Sequence, residues 1–239
     1  MSRIIAIYGQ DGNGKTTLSY ALANQLADKT NMVLIVHTDY NKSVMSERMP
    51  ELQNSISLGQ LLMTEEYYNL DKSFVPYALN ENVFASGIVN SENYTSYERC
   101  SLDTAKRYFE ILVKIFDYII VDTTDDLNDT LAVAGLAQAG IVIELLSANI
   151  QGVIFQNAYN LIFDKLDTKG KTIFAAAKLQ PYQNMAIVEN MLNVKFKIKL
   201  PYSNEVDFKN MSGSTLNGFA KKDGIAYERE IQQLQKLVG

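Results

Sequence analysis

Short apolar runs alternate with segments of helical period along most of the chain. Ile4 to Tyr8 is the first run, and Thr17 to Lys29 follows it with Leu18, Ala21, Leu22 and Leu26 on one helical face. Met32 to His37, Phe116 to Asp122, Ile141 to Leu145, Thr172 to Ala177 and Val194 to Lys199 complete the set of predicted strands. Continuous apolar runs of this length suit strands buried on both faces, as in a parallel sheet. Their alternation with helices predicts an α/β fold of three layers, a mostly parallel sheet flanked by helices on both faces.

Residues 43 to 100 are patterned more weakly. They mix Tyr, Asn, Ser and Glu, with a helix expected around Leu58 to Tyr68 and a short strand at Val83 to Ala85. The last stretch, Tyr227 to Val238, reads as a helix with Ile231, Leu234 and either Leu237 or Val238 along one side. Without a basic face or bulky aromatics, that stripe suits packing on the chain's own core better than a membrane. There are no repeats and no obvious linker, so one domain over residues 1–239 is expected.

Composition narrows the classes. The 239 residues are 47% hydrophobic and 21% charged, ordinary for a globular chain that can bury a substantial core. A formal net charge of -5 argues against binding DNA through the general surface, leaving only a local basic patch for that purpose. The single cysteine, Cys100, cannot close an internal disulfide, which fits a cytoplasmic setting. No apolar run reaches the length of a membrane span.

The chemistry concentrates at Gly9-Gln10-Asp11-Gly12-Asn13-Gly14-Lys15-Thr16, which fits the P-loop pattern between a predicted strand and a predicted helix. Glycines let the backbone curl so that several N–H groups meet one phosphate, and the following helix adds its positive end. Lys15 is then expected on the β- and γ-phosphates of ATP and Thr16 on Mg²⁺. The run Phe116 to Asp122 ends in a carboxylate suited to holding Mg²⁺ through water, so Asp122 is the second candidate. Asp39, just past the strand ending at His37, is a third; it would orient the attacking water or a metal-bound water, or else simply close a turn. His37, the only histidine, reads as a packed or hydrogen-bonded residue rather than a catalyst.

Together these segments resemble the MinD/ParA class of deviant-Walker P-loop ATPases. Gly9 to Thr17 is similar to that family's P-loop, down to the second threonine, Thr17. The strand ending at Asp39 resembles its switch I, and Asp117-Tyr118-Ile119-Ile120-Val121-Asp122-Thr123-Thr124 its Walker B and switch II. Lys199 to Val206, containing Pro201 and Tyr202, resembles the loop that in the family lies beside the adenine. Ser57 to Leu62 and the tyrosine-rich stretch after it look most like the pilus-localisation branch, TadZ/CpaE. The resemblance implies catalytic roles for Lys15, Asp39 and Asp122. It implies nucleotide contacts from Gln10 to Thr17 and from Pro201 and Tyr202, and metal contacts from Thr16, Asp122 and, through water, Asp39. It further implies a nucleotide-dependent homodimer, and a protein partner of a positioning, partition or pilus-assembly system that recruits the cytoplasmic protein to a membrane or pole.

One departure matters. The family carries a second lysine directly after the first glycine of its P-loop, reaching the partner's phosphate in the dimer; here that position is Gln10, followed by Asp11. Glutamine donates a hydrogen bond but cannot neutralise charge developing on the γ-phosphate. Thr123-Thr124-Asp125-Asp126 also replaces the usual proline after the Walker B threonine. An ATP-binding scaffold with little turnover is therefore the principal rival to an ATPase. Asp11 to Thr17 also resembles the P-loop of thymidylate kinases, but Arg48, Arg99, Arg107 and Arg229 form no lid-like cluster in sequence. A guanine-reading motif is approached only by Asp164-Lys165-Leu166-Asp167, at the end of a predicted helix rather than a strand.

Overall fold

A computed structural model describes residues 4–49, 55–89 and 91–239. Parts of the weakly patterned 43–100 stretch, residues 50–54 and 90, lie outside the described residues. In chain order the elements begin with β1 (Ile4–Gly9), α1 (Lys15–Leu26), β2 (Val33–His37), α2 (Leu58–Thr64), β3 (Val75–Tyr77), β4 (Asn80–Ser86) and α3 (Leu102–Leu112). They continue with β5 (Tyr118–Asp122), α4 (Thr130–Gln138), β6 (Ile141–Ser147), α5 (Ile150–Lys165), β7 (Thr172–Leu179), α6 (Met185–Leu192), β8 (Ile198–Pro201), α7 (Asn204–Met211) and α8 (Lys222–Val238).

The strands form one sheet in the order β3-β4-β2-β5-β1-β6-β7-β8. Every neighbouring pair is parallel except β3 with β4 at one edge. The three-layer architecture expected from the sequence is therefore the one observed. One face carries Tyr8, Leu34, Val121, Val142 and Ala176 under α3 to α6; the other carries Ile7, Ile35, Ile120, Ile143 and Ala175 under α1 and α8. This two-sided burial explains why β1, β2 and β5 are nearly continuous apolar runs.

The chain leaves β1 toward the β2 side of the sheet and later returns past it to β6, so β1 sits where the winding reverses, between β5 and β6. In such sheets ligands bind beyond the carboxyl ends of the strands at that reversal. Gly9, Asp122 and His37 all end their strands there.

Several boundaries differ from the sequence expectation. The first helix runs from Lys15 to Leu26 rather than Thr17 to Lys29. Ala27 turns extended, and the Asp28 carboxylate accepts from the Thr30 and Asn31 amides, giving the backbone a turn in place of another helical one. The helix expected to Tyr68 stops at Thr64, where Glu65 adopts positive φ, and Tyr67–Ser73 tightens into a 3₁₀ segment. The last strand is Ile198–Pro201, not Val194 to Lys199. Glu189 takes the amide hydrogens of Val194 through its carbonyl and Phe196 through its carboxylate, so that segment packs on the core as a loop. The C-terminal helix starts earlier, at Lys222, and buries Ile231, Leu234 and Val238, leaving Leu237 exposed. Among the described residues no helix is long and apolar enough to cross a membrane.

Candidate functional site

Beyond β1 the chain curls through Gly12 and Gly14, both at positive φ, a conformation open to glycine at little cost. Gly9 is constrained differently, since a Cβ there would stand 2.2 Å from the Leu145 carbonyl oxygen. Gly14 caps α1 with no side-chain hydrogen bond, so no side chain competes for the first amides of that helix. Asn13 ties the loop to the end of β6: its Nδ2 donates to Leu145 O at 3.1 Å, and its Oδ1 accepts from Ser147 Oγ at 2.8 Å. Gln10 lies at the rim, its Nε2 donating to Gln151 O at 3.2 Å.

Lys15 Nζ folds back to donate to the carbonyls of Gly9 (2.9 Å) and Gln10 (3.2 Å). Burial pulls its pKa below the ordinary lysine value, against the opposing pull of Asp122, Asp125, Asp11 and Asp39. A cavity of about 270 Å³ opens over it, lined by Asp11, Thr16, His37, Asp39, Asp122, Thr124 and Asp125.

Asp122 is the floor of that cavity and only 5% exposed. Its Oδ2 accepts the Thr16 hydroxyl at 2.7 Å and lies 2.9 Å from His37 Nδ1. Tyr20 OH is 3.2 Å from His37 Nε2, so a neutral ring that donates from Nδ1 and accepts at Nε2 satisfies both contacts. Asp122 Oδ1 is buried without a partner among the described residues. An orphaned carboxylate oxygen beside a threonine hydroxyl is a donor set that suits Mg²⁺, a hard cation with oxygen ligands.

The strand ends are laced together by backbone groups and threonine hydroxyls. Thr38 N donates to Asp122 O, Thr124 N to Thr38 Oγ1 at 2.9 Å, and Thr123 Oγ1 to Ile7 O at 2.7 Å. Asp39 therefore leaves a fixed platform. It lines the same cavity as Lys15 while its Oδ1 also accepts the Asn41 amide at 2.8 Å, so the turn-closing role and the site position coexist.

Pro201 and Tyr202 line a second, smaller cavity of about 80 Å³, with Asn13, Gly14, Thr17, Lys178 and Asn210. The P-loop thus lines both hollows: Lys15 and Thr16 face the carboxylates, and Gly14 and Thr17 face Tyr202. Thr17 Oγ1 donates to Asn210 Oδ1 at 3.3 Å, and buried Arg48 reaches the same oxygen and Ser214 O.

Of the residues expected from the sequence, Asp11, Asn13 to Thr17, Asp39, Asp122, Pro201 and Tyr202 line one of these two hollows, while Gln10 contacts α5 and Gly12 lines neither hollow. Sequence reasoning did not reach the tie from His37 to Asp122, the Asn13 clamp, or the contributions of Lys178, Asn210 and Arg48. The two strands ending in His37 and Asp122 carried a signal, but only their pairing in register puts the two side chains together. Asp164, in the motif that superficially resembles a guanine reader, is paired with Lys169 at 2.7 Å near the exposed end of α5.

Residues 2–153 match the AAA domain family. An uncharacterized ATP-binding protein of Methanocaldococcus jannaschii is 22% identical over 252 residues, covering 98% of each chain. Among solved structures, the septum site-determining protein MinD of Pyrococcus horikoshii, complexed with Mg-ADP, superposes with a TM-score of 0.81 at 17% identity, covering 100% of this chain and 98% of that one. A ParA family ATPase of Chlorobium tepidum gives 0.79 at 12% identity, covering 98% and 99%. The fold is thus that of MinD and ParA, as the sequence resemblance implied.

Proposed function

The chain belongs to the AAA domain family, and from that premise we propose that it is an ATP-binding and ATP-hydrolysing switch of the MinD/ParA kind, which positions or assembles a cellular structure. The observation that carries this reading is the contact of the P-loop hydroxyl of Thr16 with Asp122, whose other oxygen is buried without a partner among the described residues, at the cavity that Lys15 also lines. The Mg-ADP held by the Pyrococcus MinD supports the choice of nucleotide and metal.

In this reading the amides of Gly12 to Thr17 cradle the phosphates. Lys15 exchanges its two carbonyl partners for phosphate oxygens and offsets the charge that grows there during transfer. Thr16 and Asp122 would hold Mg²⁺, which when bound neutralises phosphate charge. His37 fixes the Asp122 carboxylate by its hydrogen bond. Asp39 orients the attacking water, and Pro201 and Tyr202 flank the base. The Asp122–Asp126 segment, hydrogen-bonded to Thr38 through Thr124, relays the state of the phosphate to the surface that a second copy would meet.

One observation favours a second reading, an ATP-binding scaffold with little turnover. The Gln10 amide is spent on Gln151 of its own chain and carries no charge to a partner's phosphate. Size-exclusion chromatography with light scattering, without nucleotide and with ATP·Mg²⁺, combined with phosphate release on the same samples, separates the two. A dimer that forms with ATP and decays as phosphate appears supports the switch. Bound ATP with an unchanged assembly state and no phosphate release supports the scaffold, and no ATP binding overturns both. The net charge of -5 weighs against DNA as cargo, and salt-independent absence of DNA binding is the expected result.

A further inference from the structure

We propose that the cavity over Glu144 is a binding site for a small organic cation, an ammonium or guanidinium head on an apolar stem. Glu144 sits in the middle of β6, in register with Tyr8 on β1 and Phe174 on β7. That row faces α5 and α6, whereas the neighbouring row of Ile7, Asp122 and Ile143 faces the opposite side. The site is therefore separate from the nucleotide site, and none of its lining residues lines either hollow beside the P-loop.

A carboxylate in the middle of an apolar strand is costly unless something meets it. Glu144 is only 4% exposed, and its Oε1 has no hydrogen-bond partner among the described residues. It lines a cavity of about 440 Å³, within the range of pockets that take small ligands. Asn160 from α5, Thr172 from β7 and Asn193 after α6 supply polar groups around it, while Phe163 and Phe174 supply apolar and aromatic wall.

This lining selects its ligand. Burial favours the protonated carboxyl, and a cation that displaces the proton leaves a carboxylate that only accepts hydrogen bonds, so the complement brings N–H groups whose positive charge offsets the burial of the anion. Amide and hydroxyl oxygens accept the remaining N–H groups, and the aromatic rings accommodate a stem or the face of the cation. Ionised Glu144 repels anions. Lys169, the one cation among the residues lining the cavity, is paired with Asp164 at 2.7 Å.

The test is direct. The full-length protein, labelled with ¹³C at the glutamate carboxyl, is titrated with n-butylammonium and, separately, with Nα-acetyl-lysine N-methylamide. The Glu144 resonance is identified by its loss in Glu144→Gln. The expected result is a saturable shift of that resonance and a downward move of its titration midpoint, since an adjacent cation favours the ionised form. Thermal-shift affinity should fall about tenfold or more in Glu144→Gln, the loss of one charge-assisted hydrogen bond. A response to butylammonium with none to the lysine amide identifies a free amine as the source. A response to the lysine amide identifies a partner's side chain. No shift with either probe overturns the proposal, and so does a shift given by Mg²⁺ alone. If Glu144→Gln does not fold, Glu144→Asp, which also removes the glutamate signal while keeping a carboxyl, identifies the resonance and the wild-type titration still decides the matter.

Discussion

His37 Nδ1 lies 2.9 Å from Asp122 Oδ2, the same oxygen that accepts the Thr16 hydroxyl at 2.7 Å. The only histidine of the chain thus braces the carboxylate proposed to support the metal, from a strand end 85 residues away. Replacing it with phenylalanine fills the space and removes the donor, leaving a buried carboxylate less satisfied. His37→Phe is expected to lose about 1–3 kcal/mol of stability, read by urea unfolding. It should also need more Mg²⁺ for half-maximal ATP binding, read with a fluorescent ATP analogue. Wild-type Mg²⁺ dependence would remove His37 from any positioning role.

Lys15 and Asp39 line one cavity but are assigned different work, and single substitutions separate them. Lys15→Ala should abolish protection by ATP·Mg²⁺ against thermal unfolding, because no other lysine lies in the phosphate loop. Asp39→Ala should keep that protection and lose phosphate release. Retained protection in Lys15→Ala contradicts the phosphate site, and an unchanged rate in Asp39→Ala removes Asp39 from the mechanism.

The parts of this site that were legible in the sequence are those whose chemistry is local. The glycines, Lys15 and Thr16 are spelled out in consecutive residues, and Asp122 ends an apolar run. The sheet and its layers followed from the strand-length runs, because burial on both faces leaves an unbroken apolar signature. What stayed hidden needs a long-range pairing. Asn13 reaches β6, and Asn210 joins Thr17 to Arg48 across more than half the chain. The strand misplaced at Val194 failed for a related reason, since its apolar residues are buried by a loop held on Glu189 rather than by the sheet.

Gly9 should tolerate nothing larger. A Cβ there meets the backbone oxygen of Leu145 at 2.2 Å, and that oxygen also holds Asn13, so a shift of the strand would disturb the P-loop. Gly9→Ala is expected to cost about 1–3 kcal/mol and to weaken ATP protection. Gly170→Ala is the control: among the described residues nothing beyond its chain neighbours lies within 4 Å of a Cβ there, and stability within about 0.5 kcal/mol of wild type is expected. Equal stability of both variants by urea unfolding would show that the contact with β6 yields freely.

Glu144 makes stability depend on pH in the sense opposite to a salt-bridged carboxylate. Burial raises its pKa from the ordinary 4.5 to about 7, so the folded protein holds this proton where the unfolded chain has released it. Between those two values the folded state binds more protons, and stability must fall as pH rises. The fall is complete above about 7 and amounts to roughly 3 kcal/mol for this one group. Asp129, raised to about 6 mainly by burial despite accepting the Ala132 amide at the start of α4, adds a slope of the same sign at lower pH. Urea unfolding of wild type and Glu144→Gln at pH 5 and pH 8 isolates the first contribution, because the Asp129 slope is common to both. The variant should gain on the wild type as pH rises, by up to that amount. Parallel profiles would mean that Glu144 is met by a partner or by solvent in the folded protein.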